Sequence, residues 1–268
     1  MDTYIHQHLG IGDIILCNGL IRHLLEKKLK KEKIYLFTKN CHLKATKFMY
    51  RDENRIKIIG INEFKNEKKE VNKIINKISR KKDIDFLKIG HEFYNQTLNL
   101  NIDKSNPWPC DIVFYKQLNI PFKFRFTKSY WKRDFNAEKK LFNKLVKNNS
   151  PYAFIHDDHT RGLRIDDNNI DPKLKIIRNN NKDLIFNFRL IIEKASELHL
   201  MESSFRQIVE TLDTKKKKLY LYKGRGGDHS INLYNNKKNK WIGTSKKWVI
   251  MKKNIEVKKN KKKIFKFF

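Results

Sequence analysis

A glycine-rich run near the N-terminus carries an acidic residue that could do chemistry. Gly10-Ile11-Gly12-Asp13 stands between a start that we expect to be buried and an apolar stripe of helical spacing that continues to Leu25. Glycines at such a turn let backbone N–H groups approach an anion or a bulky ligand. We expect Asp13 to act in a cleft as a general base. The alternative is a structural turn in which Asp13 caps the helix, and Ile15 in place of a third glycine disfavours a nicotinamide cofactor.

Two serines form a second candidate site in the second half of the chain. In His199-Leu200-Met201-Glu202-Ser203-Ser204-Phe205 they stand where a strand-like run gives way to a helical one. Hydroxyls and free N–H groups at the start of a helix can share a bound phosphate. Ser203 and Ser204 therefore predict a cradle for a pyrophosphate, and ordinary N-capping by Ser203 is the alternative.

A third candidate site is the polar run His156-Asp157-Asp158-His159-Thr160-Arg161-Gly162, which follows an apolar stretch. Carboxylates beside histidines could hold a divalent metal ion. However, consecutive residues at a strand end point to opposite faces, so we expect no metal here. We predict instead that Arg161 binds a phosphate group with two hydrogen bonds, and a solvated turn is the alternative.

The elements that must position these residues alternate between strand-like and helical patterns. The predicted strands are Lys33–Thr38, Ile56–Gly60, Asp85–Gly90, Tyr152–His156, Glu197–Met201 and Leu219–Tyr222. Helical patterns cover residues 136–147, 184–195 and 203–212. This alternation predicts an α/β fold with parallel, doubly wound sheets. We expect two Rossmann-like lobes, residues 1–135 and 136–268, whose sheets face a central cleft.

Composition limits the class of protein. Hydrophobic residues make up 39% of the chain and aromatic residues 12%, which is too much apolar material for a disordered chain. The 60 Lys and Arg residues against 29 Asp and Glu residues give a net charge of +31, which can attract nucleic acid, anionic lipid or phosphorylated substrates. Because the excess is mostly Lys and comes with many Asn and Ile residues, an AT-biased genome would produce the same charge without a ligand.

Cysteine usage and hydropathy predict where the protein acts. Cys17, Cys41 and Cys110 are widely spaced and form no C-x-x-C motif, so neither a disulfide framework nor a thiol-rich zinc site is indicated. We recognise no signal peptide and no run of about 18 apolar residues. We expect a cytoplasmic protein. Lys258–Phe268 combines lysines with aromatic residues and could contact the inner face of an anionic membrane peripherally, although a solvated chain end has the same composition.

The N-terminal motif resembles that of a known group of enzymes. His8–Asp13 followed by Asn18-Gly19-Leu20-Ile21-Arg22 resembles the N-terminal signature of GT-B glycosyltransferases related to the ADP-heptose heptosyltransferases. The resemblance implies that Asp13 is the catalytic base. It also implies that the loop on the acceptor side of the cleft is formed by Gly10, Gly12, Asn18 and Arg22.

The second half resembles a different branch of the same fold. His156–Gly162 is similar to the strand and loop with a phosphate-binding arginine in the group of α-1,6-fucosyltransferases and nodulation fucosyltransferases. Ser203-Ser204-Phe205 resembles the serine pair at the donor pyrophosphate in that group. The resemblance implies that the second lobe binds the sugar donor through His156, Asp158, Arg161, Ser203, Ser204 and Phe205.

Together these resemblances imply an enzyme that moves a sugar from a nucleotide diphosphate to a hydroxyl group of a glycan or a lipid-linked saccharide. The reaction is expected to invert the sugar and to need no metal and no cofactor besides the nucleotide sugar. The rival class is a basic nucleic-acid-binding α/β protein without catalytic activity. Such a protein needs aromatic residues interleaved with basic ones on one surface. Because Tyr35, Phe37, Tyr152 and Phe154 lie in strand-like runs, we expect burial instead and no nucleic acid partner.

Overall fold

The structure is a computed structural model, and it describes residues 1–90, 110–148, 150–222, 234–235, 240–241, 244–251 and 255–257. The segment that could contact a membrane or be a solvated chain end, Lys258–Phe268, lies outside the described residues. The chain divides into two compact units, of which the first comprises Met1–Arg133 and Asn232–Ser245 and the second comprises Asp134–Ile231 and Lys246–Phe268. Within the described ranges, no helix has the length and apolar character needed to cross a membrane.

The first unit alternates strands and helices along its main segment. Its strands there are β1 (Thr3–Gln7), β2 (Ile34–Lys39), β3 (Ile56–Ile61) and β4 (Asp85–Ile89). Its helices are α1 (Ile11–Leu16), α2 (Asn18–Glu26), α3 (Leu43–Met49), α4 (Glu67–Ser79), α5 (Cys110–Lys116) and α6 (Phe124–Thr127), and a 3-10 turn covers Asn40–His42. The three strands predicted in this half by their β-rich runs are those labelled β2, β3 and β4.

The four strands of the first unit form one parallel sheet in the order β3-β2-β1-β4. Thr3 lies opposite Ile34 on one side and Asp85 on the other, which places β1 inside the sheet. The chain leaves β1 toward β2 and later returns to its other side with β4, so the strand order reverses between β1 and β4. In open α/β sheets, ligands bind at the carboxyl ends of the strands beside this reversal. The loop after β1 occupies that position.

Apolar packing under this sheet explains why the first unit folds. Tyr4, Phe37, Val71 and Ile75 belong to one buried cluster, and the last two lie four residues apart on α4. Residues at that spacing share one face of a helix, so α4 covers the sheet with its apolar side. Tyr4 also stacks on Tyr35 with ring centroids 4.4 Å apart. The expectation that these strand aromatics are buried is confirmed for Phe37, which is fully inaccessible.

The second unit begins with α7 (Phe135–Val146), β5 (Tyr152–Ile155), β6 (Leu163–Ile165) and β7 (Lys175–Arg178). It continues with α8 (Arg189–Lys194), β8 (Glu197–Met201), α9 (Ser204–Val209) and β9 (Lys218–Tyr222). Next come β10 (Tyr234–Asn235) and β11 (Lys240–Trp241), an antiparallel pair that belongs to the first unit. The last strands of the second unit are β12 (Val249–Met251) and β13 (Ile255–Val257). Tyr152 and Phe154 are buried, as expected.

A second parallel sheet forms the centre of this unit, with the order β12-β9-β8-β5-β7. From β5 the chain goes to β7 on one side of the sheet, and it then returns on the other side as β8. The reversal of strand order therefore falls between β5 and β8, which are direct neighbours with Phe154 opposite Leu198. The loops that follow β5 and β8 lie at the carboxyl edge beside this reversal, where such sheets bind ligands.

One predicted helix is divided in the structure. Residues 184–195 form a 3-10 turn at Ile185–Phe188 and then the short helix α8. Phe186 and Phe188 are both buried. Residues two apart point to nearly opposite sides of an α-helix, so burying both aromatic rings is incompatible with one continuous amphipathic helix over this range.

Candidate functional site

The loop after β1 brings His8 and Asp13 together. Gly10 is the N-cap residue of α1, with φ −70° and ψ 142°, and Asp13 is the third residue of the helix. The alternative interpretation of Asp13 as the N-cap is therefore wrong. The Asp13 side chain points back along the helix, and its Oδ2 lies 2.7 Å from His8 Nδ1. The two side chains are 27% and 44% exposed, so this pair faces solvent at the carboxyl edge of the sheet.

Asp13 has one carboxylate oxygen to spare. Oδ2 meets His8, whereas Oδ1 makes no hydrogen bond to any described residue. An ionised carboxylate accepts hydrogen bonds through both oxygens. Oδ1 can therefore accept a hydrogen bond from a hydroxyl group that enters this edge of the sheet, which is the geometry that a general base requires.

Two glycines make room for this pair. A Cβ atom on Gly10 would lie 2.7 Å from Asp13 Oδ2, which is closer than a side chain allows. Gly90, directly after β4, has φ +134°, and a Cβ atom there would lie 3.0 Å from His8 Cβ. Gln117 holds Gly90 from both sides, because its amide accepts from Gly90 N at 2.8 Å and donates to Gly90 O at 2.9 Å. The walls around His8 and Asp13 are thus fixed by backbone groups.

The remaining residues of the predicted acceptor loop occupy different surroundings. Gly12 is the second residue of α1 and is half-buried beside Asp13. Asn18 is fully buried at the start of α2, and its Oδ1 accepts a hydrogen bond from Tyr130 N at 2.7 Å. Arg22 donates from Nε to Tyr130 O at 2.8 Å and forms an ion pair with Asp52. Asn18 and Arg22 therefore hold the chain around Tyr130 against α2, and their place in the acceptor loop stays a prediction.

In the second unit, the ends of β5 and β8 are joined by a hydrogen bond between two of the predicted donor residues. His156 follows β5, and Ser203 follows β8 after Glu202. Ser203 Oγ and His156 Nδ1 lie 3.1 Å apart and are buried. Ser203 is the N-cap residue of α9, but its hydroxyl makes no capping hydrogen bond. N-capping by this side chain is therefore wrong, and the hydroxyl links the two strand ends that flank the reversal of strand order.

The other two residues of the serine site, Ser204 and Phe205, differ in burial. Phe205 is buried, with its ring centroid 4.8 Å from His156, 5.5 Å from Phe154 and 5.4 Å from Phe188. It fills the core under the strand ends, and its contact with a donor stays a prediction. Ser204 is half-buried, and its hydroxyl makes no hydrogen bond to a described residue. Of the two, Ser204 is the side chain with hydrogen-bonding capacity left.

The carboxylates of both aspartates after β5 accept hydrogen bonds from other residues of the protein. The Asp157 carboxylate accepts from Ile165 N at 2.9 Å and from Arg178. The Asp158 carboxylate accepts from Thr160 Oγ1 and from Arg161 Nη1, the latter at 2.9 Å. Both side chains are thus used to fold the loop that follows β5. Among the described residues, no group of three or more His, Cys, Asp and Glu side chains is placed to hold a metal ion.

Arg161 lies at the tip of this loop. Asp158 and Leu163 pair across the loop, which forces the intervening residues into a tight turn with Gly162 at φ +67°. The Arg161 side chain is 52% exposed and is held by Asp158 through Nη1. Its Nε and Nη2 groups make no hydrogen bond to a described residue, so the guanidinium presents two donors in the fork geometry that matches a phosphate.

The sequence patterns missed the contact of His8 with Asp13 and the burial of Gln7. His8 stood in the motif without an assigned function, because the distance from residue 8 to residue 13 depends on where α1 begins. Gln7 ends β1 with 0% exposure, and neither atom of its side-chain amide has a hydrogen-bond partner in the described part of the chain. A glutamine at the end of a segment shortly before the glycine-rich run was the signal available for it.

Two solved structures share the fold of this chain. The glycosyl transferase family 9 protein of Veillonella parvula matches with a TM-score of 0.54 and 9% sequence identity, over 93% of this chain and 86% of that protein. The ADP-heptose lps heptosyltransferase II of E. coli matches with a TM-score of 0.54 and 11% identity, over 94% of this chain and 90% of that protein. No family model and no curated protein sequence matches the chain.

At these identities the likeness is one of fold. The α/β fold with two parallel sheets that the sequence predicted is confirmed, and it is the GT-B fold of these glycosyltransferases. The resemblance of the N-terminal motif to heptosyltransferases agrees with the second of the two matches. The resemblance of the second unit to fucosyltransferases has no counterpart among these structures.

Proposed function

We propose that the protein is a glycosyltransferase that moves a sugar from a nucleotide diphosphate to a hydroxyl group of a glycan or a lipid-linked saccharide. The observation that carries the proposal is the position of Asp13. It lies after β1, at the reversal of strand order, with one carboxylate oxygen that makes no hydrogen bond to a described residue. In this proposal the first unit receives the acceptor, the second unit binds the nucleotide sugar, and the protein acts in the cytoplasm.

On the acceptor side, the proposed reaction requires a base that removes the proton of the hydroxyl group. Asp13 Oδ1 takes the proton of the acceptor hydroxyl while the hydroxyl oxygen forms a bond to the anomeric carbon of the donor sugar. The bond between that carbon and the diphosphate breaks, and its electron pair leaves with the diphosphate. Attack from the face opposite the leaving group inverts the sugar. No metal is required where protein groups stabilise the leaving diphosphate.

The donor side rests on the ends of β5 and β8. Arg161 offers the two N–H groups left over from its ion pair with Asp158, and Ser204 offers its hydroxyl. Charge-assisted hydrogen bonds to the diphosphate oxygens stabilise negative charge as it develops on the leaving group. His156 and Ser203 are buried beneath these groups and hold the two strand ends together.

A thermal-shift screen tests the class of ligand first. Purified protein is heated with ADP, GDP, UDP, CMP and dTDP sugars, with and without EDTA, and separately with a short DNA duplex. A nucleotide that binds the folded protein raises its melting temperature, and we expect one nucleotide to do so equally with and without EDTA. Stabilisation by ADP would favour a heptosyltransferase-like donor and GDP a fucosyltransferase-like one. A shift with DNA alone would reject the proposal in favour of the nucleic-acid-binding class.

Asp13→Asn tests the base. The amide keeps the shape of the carboxylate but cannot take a proton, so we expect kcat to fall by about 100- to 10,000-fold while donor binding is unchanged. Asp2→Asn is the matched control, since Asp2 lies before β1, at the opposite edge of the sheet, with its carboxylate bonded to Lys33 N and Lys82. Equal turnover of Asp13→Asn and wild type would reject Asp13 as the base.

Arg161→Ala tests the donor subsite. We expect the Michaelis constant for the nucleotide sugar to rise by about tenfold, because a charge-assisted contact to the diphosphate is lost. Arg164→Ala is the control, as this nearby arginine is 37% exposed and pairs with Asp167. If both variants weakened donor binding equally, the effect would be one of general charge, and the subsite would be wrongly placed.

A further inference from the structure

The contact between His8 and Asp13 suggests a task for the histidine as well as for the base. We propose that His8 is a positioning residue, whose Nδ1–H donates to Asp13 Oδ2 and so directs Oδ1 toward the acceptor hydroxyl. The inference rests on the proposed function, because it assigns a task within the same reaction. It assigns to His8 the task of fixing the orientation of the Asp13 carboxylate, which would otherwise be free to rotate at the start of the helix.

The first argument is the orientation of Asp13 itself. An aspartate in the first turn of a helix can turn toward the free N–H groups at the helix start, which attract carboxylates. Here its Oδ2 lies 2.7 Å from His8 Nδ1 instead. With Oδ2 occupied by an N–H donor, the remaining lone pairs of the carboxylate are those of Oδ1. The imidazole thus selects which oxygen is left for the proton.

The second argument is that His8 is itself held in place. Its backbone N donates to Ile89 O at 3.0 Å, which ties it to the end of β4. The next residue, Gly90, packs against His8 Cβ and is bonded on both sides by the buried amide of Gln117. A positioning residue needs a fixed base from which to orient its partner, and these contacts fix the backbone of His8.

The third argument is the space left for the contact. Gly10 has backbone angles that alanine also adopts, yet a Cβ atom there would lie 2.7 Å from Asp13 Oδ2. The glycine is therefore needed for the position of the carboxylate and not for the course of the chain.

In the proposed reaction, His8 keeps its proton throughout. The acceptor proton moves to Asp13 Oδ1, and no proton passes through the imidazole.

The hydrogen bond between His8 and Asp13 can be tested by NMR spectroscopy without any activity measurement. In protein labelled with ¹⁵N, the ring nitrogens of His8 are identified by their disappearance in His8→Ala. A neutral imidazole in water favours the Nε2–H tautomer, so a proton on Nδ1 at pH 8 reports a partner for that nitrogen. We expect Nδ1 of His8 to carry a proton in the wild type and to lose this preference in Asp13→Ala. An Nδ1 without a proton in the wild type, or no change in Asp13→Ala, overturns the pairing.

Kinetics then test the consequence for turnover. His8→Ala is expected to lower kcat by about 10- to 100-fold, the cost of misplacing a reacting group, and to change the acceptor Michaelis constant by less than about threefold on the same principle. His8→Asn places an amide N–H near the position of Nδ1 and is expected to recover most of the lost kcat. His42→Ala is the control, because His42 lies in the turn after β2, at the same edge of the sheet, and its ring makes no hydrogen bond to a described residue.

The outcomes separate the two proposals. If His8→Asn is as slow as His8→Ala, or if His8→Ala is as fast as His42→Ala, His8 does not position the base. A wild-type protein that transfers no sugar from any donor rejects the proposed function and, with it, the assigned task of His8. The ring-nitrogen spectrum would still show in that case whether the histidine and the aspartate are paired.

Discussion

Arg22 meets Asp52 in a two-point ion pair, in which Nη1 and Nη2 each lie 3.0 Å from one carboxylate oxygen. The same guanidinium donates from Nε to Tyr130 O at 2.8 Å and from Nη2 to Met49 O at 3.2 Å. One side chain on α2 therefore ties together two segments that are far apart in sequence. The arginine of the N-terminal motif is a structural residue here, and its contribution is measurable as stability.

Arg22→Lys is expected to lower the free energy of unfolding by about 2 to 3 kcal/mol, because a lysine cannot reproduce the planar fork or reach both backbone carbonyls. Urea denaturation measures the change. Arg51→Lys is the control, since Arg51 is an exposed neighbour whose side chain contacts the residue three positions before it, by a hydrogen bond to Phe48 O at 3.1 Å and by lying over the Phe48 ring. It should change stability by no more than about 0.5 kcal/mol. A rise in the acceptor Michaelis constant without a loss of stability would instead support the predicted place of Arg22 at the acceptor site.

Gly10→Ala should separate activity from stability. The backbone of Gly10 suits alanine, and the atom in the way is the far end of the flexible Asp13 side chain. We expect stability to stay the same or to rise by up to about 1 kcal/mol, since alanine restricts the unfolded chain. Turnover should fall at the same time, because Asp13 must leave its contact with His8. Activity equal to the wild type would show that this position of Asp13 is not needed.

Gly19→Ala, in contrast, should lower the stability of the protein. A Cβ atom on Gly19 would lie 2.2 Å from the carbonyl oxygen of Phe124 and 3.1 Å from Ser129 N. Alanine in a helix is normally favoured over glycine by about 1 kcal/mol, so a destabilising result would identify the contact as the cause. We expect a loss of about 1 to 3 kcal/mol from the forced separation of α2 and α6. An increase in the urea midpoint would contradict this close packing.

His199 makes the stability of the second unit depend on pH. Its Nδ1 lies 2.9 Å from the Tyr222 hydroxyl, its Nε2 lies 3.1 Å from Glu197 Oε2, and its ring stacks on Tyr220. Burial lowers the pKa of His199, although the hydrogen bond to Glu197 opposes this shift. The folded protein therefore resists protonation of a group that the unfolded chain protonates near pH 6.5.

It follows that this contribution to stability is complete above about pH 6.5 and is lost as the pH falls through the lower pKa of the folded state. Urea midpoints of the wild type are expected to decrease between pH 8 and pH 5. His199→Gln removes the titrating group, so its midpoint should decrease less over the same range, even if the variant is less stable throughout. Parallel curves for the two proteins would show that His199 does not cause the dependence.

The strands were predictable because their residues carry the pattern locally. Glu197–Met201 has the predicted bounds, and Leu219–Tyr222 is extended by one residue at its start. β6 and β7 were missed. Leu163–Ile165 is three residues long, and the apolar core of Lys175–Arg178 is a single pair of isoleucines. Such short segments become strands only when a neighbour supplies hydrogen bonds, as β5 does for β7, and this contact is not encoded in local periodicity.

The site was predictable to the level of its loops but not of its contacts. Glycines and polar residues at strand ends pointed to the segments after β1, β5 and β8, which the two sheets place at their carboxyl edges. The choice among side chains in each loop was harder. Asn18 and Phe205 differ from Asp13 and Ser204 by being buried, and their burial depends on partners such as Tyr130 and Phe154 that lie far away in the chain.

The close contact at Gly19 also bears on how the protein is made. Leu16 O accepts a hydrogen bond from the Tyr115 hydroxyl, and Asn18 Oδ1 accepts one from Tyr130 N, across 99 and 112 residues. A ribosome delivers α2 long before it delivers these partners. The groups of the nascent N-terminal segment that bind these partners therefore stay exposed until about residue 130 has left the exit tunnel. Such late burial exposes a chain to chaperones during synthesis.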